Sequence, residues 1–253
     1  MRDEQPNVAR MWDYHLGGDR AGAADRRLAD AVSAACPEVP LAARASRAFL
    51  DRVVRHLVDR GVRQFLDLGA GLPTDRNTHE MACGSRVVYV DVDPMAVLHN
   101  RISVVGNPDV TVVQADLRDP ELVLRHRDVR HYIDFRRPVA VLALAVYHLV
   151  PDAEEPAAGV ATIYDQVAPG SYLAISHGSA DHAPERAARV TDLYAGAGLT
   201  LRPRSRREIT TIFDRFELVG PGLVAADRWH PSAPPAPTTP AGWYGGLGRK
   251  TDL

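Results

Sequence analysis

The sequence predicts an α/β fold, a doubly wound and mostly parallel sheet of seven strands behind an N-terminal helical cap. Three observations predict it. After Gly61, five short apolar runs alternate with helical stretches, which calls for parallel strands buried on both faces. The preceding 60 residues carry apolar side chains at three- and four-residue spacing, the period of amphipathic helices. The chain has 253 residues and 45% hydrophobic content, enough for one substantial core. These observations divide the chain into a cap, residues 1–60, and a core, residues 61–253.

Within the cap, Val8, Met11, Trp12 and Leu16 make a short helix that stops at Gly17-Gly18. A second helix covers Ala23 to Ala35. A third follows from the four-residue repeat of Leu41, Ala45, Phe49, Val53 and Leu57, and Gly61 ends it. The core strands are expected at Gln64–Leu68, Arg86–Val90, Val110–Gln114, Val139–Leu144 and Ser171–Ser176. Ser205 with Glu208 is a capping box that opens a helix through Phe213. A sixth strand is expected at Phe216–Val219, and Trp243-Tyr244 with Leu247–Arg249 gives a last one. Pro231 to Pro240 holds five prolines and is expected to cross in extended form.

Charge and cysteine content exclude several classes. The 30 basic and 32 acidic residues nearly cancel, so no global field draws the chain to nucleic acid or an anionic membrane. Cys36 and Cys83 lie far apart without metal-ligand spacing, and both read as small buried residues. His79-Glu80 lacks the second histidine of a zinc motif, so no metal is expected. The charged N-terminus lacks a signal-peptide core and no apolar run reaches eighteen residues, which predicts a soluble cytoplasmic protein.

In a doubly wound sheet, ligands sit at the C-terminal strand ends. The first strand runs into Gly69-Ala70-Gly71-Leu72-Pro73, where glycines let the backbone turn and approach a ligand. A dinucleotide loop would place a third glycine where this chain has Thr74. Asp67, two positions before the first glycine, suits a ligand carrying a cationic amino group and a sulfonium but no phosphate. S-adenosylmethionine (SAM) has that character. Asp91 ends the second strand and can accept from both ribose hydroxyls, with Asp93 as its near competitor. Asp116, next to Leu117, can accept from an adenine amino group.

The motifs AGLPT, VVYVDVDP, VVQADLRDP and YGGLGRK, with NVARMWDYHLGG and RASRAFLDRVVRHL near the start, resemble the actinobacterial S-adenosyl methyltransferase family, long a domain of unknown function. The resemblance spans nearly the whole chain. It implies a class I, Rossmann-like methyltransferase core with SAM as cofactor, and it names no acceptor. After the double glycine this chain carries Asp19-Arg20-Ala21, where the family tends to carry lysine, aspartate and asparagine.

Methyl transfer from a sulfonium needs alignment and, for a hydroxyl or amine, a base. The fourth strand's exit, from Ala145 to Pro151, stands at the reactive end, and His148 is the candidate base. His177 ends the neighbouring strand and reads more readily as structural. Arg10, Asp13, Tyr14 and His15 lie along the polar side of the first helix, which could close as a lid; Tyr14 is a second catalytic candidate. Arg44 and Arg47 could bind an acceptor carboxylate. The expected acceptor is a small molecule, and apolar cap surface leaves room for a homodimer. A catalytically silent SAM-binding protein and an NAD-dependent oxidoreductase remain as rival readings.

Overall fold

The computed structural model describes residues 5–230 and 242–251. In chain order it contains α1 (Val8–His15), α2 (Ala23–Ala35), α3 (Val39–Asp59), β1 (Gln64–Leu68), α4 (Thr78–Met81), β2 (Arg86–Asp91), α5 (Pro94–Ser103) and β3 (Val110–Gln114). There follow α6 (Pro120–Arg125), α7 (Arg127–Tyr132), β4 (Ala140–Leu144), α8 (Pro156–Gln166), β5 (Tyr172–Gly178), α9 (Pro184–Gly196), α10 (Arg206–Ile212), β6 (Glu217–Leu218), β7 (Val224–Ala225) and β8 (Trp243–Arg249).

The strands form one sheet in the order β3-β2-β1-β4-β5-β8-β6. β1 to β5 are parallel, whereas β8 runs antiparallel to β5, β6 and β7. This path holds the seven expected strands, and the two-residue β7 adds an eighth that pairs only with β8. The sixth strand is shorter than expected, and the expected crossing at Pro231–Pro240 lies outside the described residues. Chain order reverses between β1 and β4, so the C-terminal ends of those strands flank the switch point where such sheets bind ligands.

Both faces of the sheet are covered. Leu66, Val88 and Val141 pack with α8 and α10 side chains such as Ile163 and Ile212. Phe65, Val87 and Leu142 face the other way, against Phe49, Val53 and Leu57 of α3. The glycines of β8 follow from this packing. A Cβ at Gly245 would lie 3.0 Å from the Phe49 ring, and one at Gly248 would lie 2.7 Å from Phe216 Cβ. Aromatic rings occupy the space that side chains would need.

Met11, Ala29, Val32 and Val190 form a separate apolar cluster that ties α1 and α2 to α9. Polar bonds reinforce this corner. The buried Asp25 carboxylate accepts from the Asn7 and Gly22 backbone N–H groups and from the Arg10 guanidinium.

Two expectations are corrected here. Asp13 and His15 do not lie on a solvated helix face; they are 3% and 6% exposed. Asp13 folds back to accept from the Arg20 backbone N–H and guanidinium, which organises the turn after α1. The cysteines are not buried either: Cys36 is half-buried and Cys83 is exposed, because each lies just beyond a helix rather than on a core-facing stripe. Among the described residues, no helix is long and apolar enough to cross a membrane.

Candidate active site

A cavity of about 250 Å³ lies at the ends of β1, β2, β3 and β4. Its floor is the loop after β1. The Gly69 and Ala70 N–H groups donate to the Val90 carbonyl at 2.8 and 3.1 Å, which holds the loop against β2. Gly69 and Gly71 adopt φ of +69° and +63°, the left-handed region that favours glycine. Their surroundings differ. A Cβ at Gly69 would sit 2.4 Å from Val146 Cγ2, whereas one at Gly71 would meet nothing within 4 Å. Gly69 is needed for close packing against the β4 exit, and Gly71 borders open space in the cavity.

The acidic strand ends converge on this cavity. Asp91 is 9% exposed; its carboxylate accepts from the N–H groups of Gly71 at 2.7 Å and Asp93 at 2.9 Å. Burial pushes its pKa up, and these two N–H groups oppose the shift. Asp67, 8% exposed, accepts from the Thr78 hydroxyl at 2.8 Å, and burial raises its pKa to about 6. Asp93 caps α5 and accepts from the Asn7 side-chain amide at 2.6 Å, linking the cap to the sheet. Asp116 also lines the cavity with Leu117, but its carboxylate already holds the Arg118 guanidinium in a fork. That ion pair keeps its pKa low and partly neutralises it.

The opposite wall is the β4 exit. Ala145 lies in the left-handed region at φ +54°, and its N–H donates to the carbonyl and the hydroxyl oxygen of Ser176, both at 3.0 Å. His148 follows in a short 3₁₀ turn and lines the cavity at 5% exposure. Its ring meets Trp243 edge to face at 5.0 Å and His177 at 5.7 Å. Its Nδ1 is buried without a hydrogen-bond partner. Burial, helped by His177 and Arg204, holds its pKa well below 6.5, so the ring is neutral at physiological pH.

His177 does not line this cavity. It is fully buried, with Nδ1 bonded to the Gly178 carbonyl at 2.6 Å and Nε2 facing Arg204. Tyr14 is likewise outside it, which corrects the expectation that placed it near the methyl. The reason is helical phase: Trp12 and Asp13 face the cavity, while Tyr14 turns toward α2. The Tyr14 hydroxyl donates to Asp30, which raises its pKa and keeps the phenol protonated.

Arg44 is exposed and does not line the cavity. Arg47 does line it, donating to the Asp75 and Arg76 carbonyls. Sequence reasoning missed Asn7 and Trp12 as cavity residues. Asn7 carried a signal as the N-cap of α1, but its reach to Asp93 depends on tertiary docking. Arg20, in the segment after the double glycine, donates to the Pro73 carbonyl and docks the cap onto the loop after β1. His79 bonds the Tyr89 hydroxyl, and no cluster of metal-ligand side chains occurs among the described residues.

The donor set fits SAM. Five carboxylates, of Asp13, Asp67, Asp91, Asp93 and Asp116, and the Arg47 guanidinium line one cavity, and two further lining residues, Thr74 and His148, each hold a buried polar atom without a partner. Acidic groups suit a cationic ligand and would repel a pyrophosphate.

Comparison with known proteins agrees. A family model described as S-adenosyl methyltransferase matches residues 1–251. A DUF574 family protein from Streptomyces avermitilis is 37% identical, with 98% of each chain covered and a TM-score of 0.92. A candidate methyltransferase from Thermobifida fusca is also 37% identical, covering 98% of this chain and 96% of its own, with a TM-score of 0.93. The N-methyltransferase NodS of Bradyrhizobium japonicum, solved with S-adenosylhomocysteine, shares the fold at 12% identity. There the TM-score is 0.52, with 81% of this chain and 87% of NodS covered. No curated protein matches the chain. The chain belongs to the S-adenosyl methyltransferase family, whose cofactor is S-adenosylmethionine.

Proposed function

We propose that this protein moves the methyl group of SAM to a hydroxyl or amine of a small-molecule acceptor, with His148 taking the proton. The observation that supports this reading is the convergence of Asp67, Asp91, Asp116 and His148 on one cavity at the switch point of the sheet.

Bound SAM supplies an electrophilic methyl carbon on a cationic sulfur. Asp91 would hold the ribose: two backbone N–H groups fix its carboxylate, and its remaining lone pairs could accept from the ribose hydroxyls. Asp116 and Leu117 would border the adenine. Asp67 offers negative charge to the ammonium group, and Arg47 offers positive charge to the carboxylate of the same ligand. This moves Arg47 from acceptor binding to cofactor binding. Trp12 and Asn7 of the cap form the outer wall and limit water around the reacting centre. His148, neutral and lining the cavity, accepts the proton that a hydroxyl or amine loses as it is methylated.

The test is release of S-adenosylhomocysteine, with radiolabelled methyl followed into a small-molecule extract, for wild type and His148→Phe. A loss of turnover on the order of 10²–10⁴-fold, with SAM affinity unchanged, is expected for removal of a base. Turnover equal to wild type would remove His148 from the reaction. Absence of turnover in wild type with every acceptor fraction would favour a silent SAM-binding protein.

A further inference from the structure

A second cavity, of about 880 Å³, opens beside the first. Two helices line both. From α3, Leu41 and Ala42 border the second cavity, and Ser46 and Arg47 border the first about one turn later. From α9, Val190 borders the second and Tyr194 the first. His148 lines both, so its ring stands in the shared wall.

We propose that this second cavity holds the methyl acceptor, and that the acceptor is a neutral, largely apolar molecule presenting a hydroxyl to His148; this rests on the methyl-transfer reading above. Its volume falls in the range of small-molecule sites, roughly 300–1,000 Å³, and is far below what a nucleic acid or protein chain occupies. Its walls include Val39, Ala42, Val190, Leu201 and Trp243, which favour an apolar body. The charges at the rim cancel. Glu38, at the N-terminus of α3, is paired with Arg186 of α9, and Glu185 and Arg189 of α9 add one charge of each sign. These four side chains sum to zero charge and create no net field that would favour a charged acceptor.

The polar handle is at the cofactor end. His148 is 5% exposed and lines both cavities, so its imidazole is a polar group that a hydroxyl held in the second cavity would share with the cofactor end. In the transfer, the hydroxyl oxygen forms a bond to the methyl carbon. The carbon–sulfur bond breaks with its electron pair going to sulfur, which leaves a neutral thioether. The hydroxyl proton passes to His148 and from there to solvent.

The probe is 2-naphthol, a neutral two-ring hydroxyl compound whose own fluorescence reports binding to the full chain. Saturable one-site binding is expected, weakened at least tenfold by Leu201→Trp and by Leu41→Trp, two independent ways to fill the cavity. SAM affinity should be unchanged in both variants, which also shows that they fold. The anionic 2-naphthoate should bind at least tenfold more weakly than 2-naphthol. Non-saturable 2-naphthol binding, wild-type binding in both variants, or tighter binding of 2-naphthoate would overturn the proposal. Failure of wild type to bind SAM while 2-naphthol binds and is blocked as expected would overturn the acceptor role and the methyl-transfer reading, leaving a ligand site of another purpose.

Discussion

Arg204 donates to Nε2 of His177 at 3.1 Å, and because a guanidinium only donates, His177 must carry its proton on Nδ1, facing the Gly178 carbonyl. The same guanidinium binds the carbonyls of Tyr147 and Val150, both at 2.8 Å, and Asp152 at 2.7 Å. One buried side chain thereby fixes both ends of the turn that carries His148.

Replacing Arg204 with Ala should therefore cost about 3 kcal/mol, since it strands buried acceptors around a charge that is 3% exposed. Urea unfolding reads this directly. A loss under about 1 kcal/mol would mean that the turn holds itself.

Asp67 predicts a pH dependence. Its pKa is raised from 3.8 to about 6, so between these values the folded chain keeps a proton that the unfolded chain has released. Stability of the free protein should fall as pH rises through this window, by up to about 3 kcal/mol. A cationic ligand favours the carboxylate, so SAM affinity should rise over the same interval. Asp67→Asn should flatten both profiles, measured by urea unfolding and calorimetry from about pH 4 to about pH 7. Unchanged profiles in the variant would assign the pH dependence to another group.

The two loop glycines should separate folding from binding. Gly69→Ala forces a left-handed side chain against Val146 and should cost about 2 kcal/mol or more of stability. Gly71→Ala carries only the left-handed penalty, about 1 kcal/mol, but puts a methyl into the cavity. It should weaken SAM binding at least tenfold. Equal effects of the two on both properties would contradict the described loop.

Three contacts tie residues 7–20 of the cap to the core: Asn7 on Asp93 at 2.6 Å, Arg20 on the Pro73 carbonyl at 3.0 Å, and Trp12 against Trp243 at 5.3 Å. A ligand beneath them should slow backbone amide exchange across residues 7–20. Exchange in that segment unaffected by saturating SAM would show that the cap does not close on the cofactor.

Most of the framework was legible because local pattern and burial agree. Gln64–Leu68, Val110–Gln114 and Ala23–Ala35 have the expected bounds, since five-residue apolar runs and an uninterrupted helical stripe leave little choice. The acidic strand ends were legible because chain direction alone puts them at one edge. What was hidden depends on distant partners. Asp13 reads as polar surface but is buried by bonds from Arg20; Tyr14 and Trp12 differ only in helical phase. Arg204, in a stretch without periodicity, is drawn in by carbonyls more than fifty residues earlier.

Asp91 and its neighbours form the proposed SAM site, and calorimetric titration reads binding there without an acceptor. Wild type and Asp91→Asn are titrated with SAM and S-adenosylhomocysteine, with NAD as control. Micromolar binding of both SAM species, a loss of roughly 1–3 kcal/mol in the variant, and no NAD binding are expected. Folded wild-type protein that binds neither SAM species, or that binds NAD instead, would contradict that assignment.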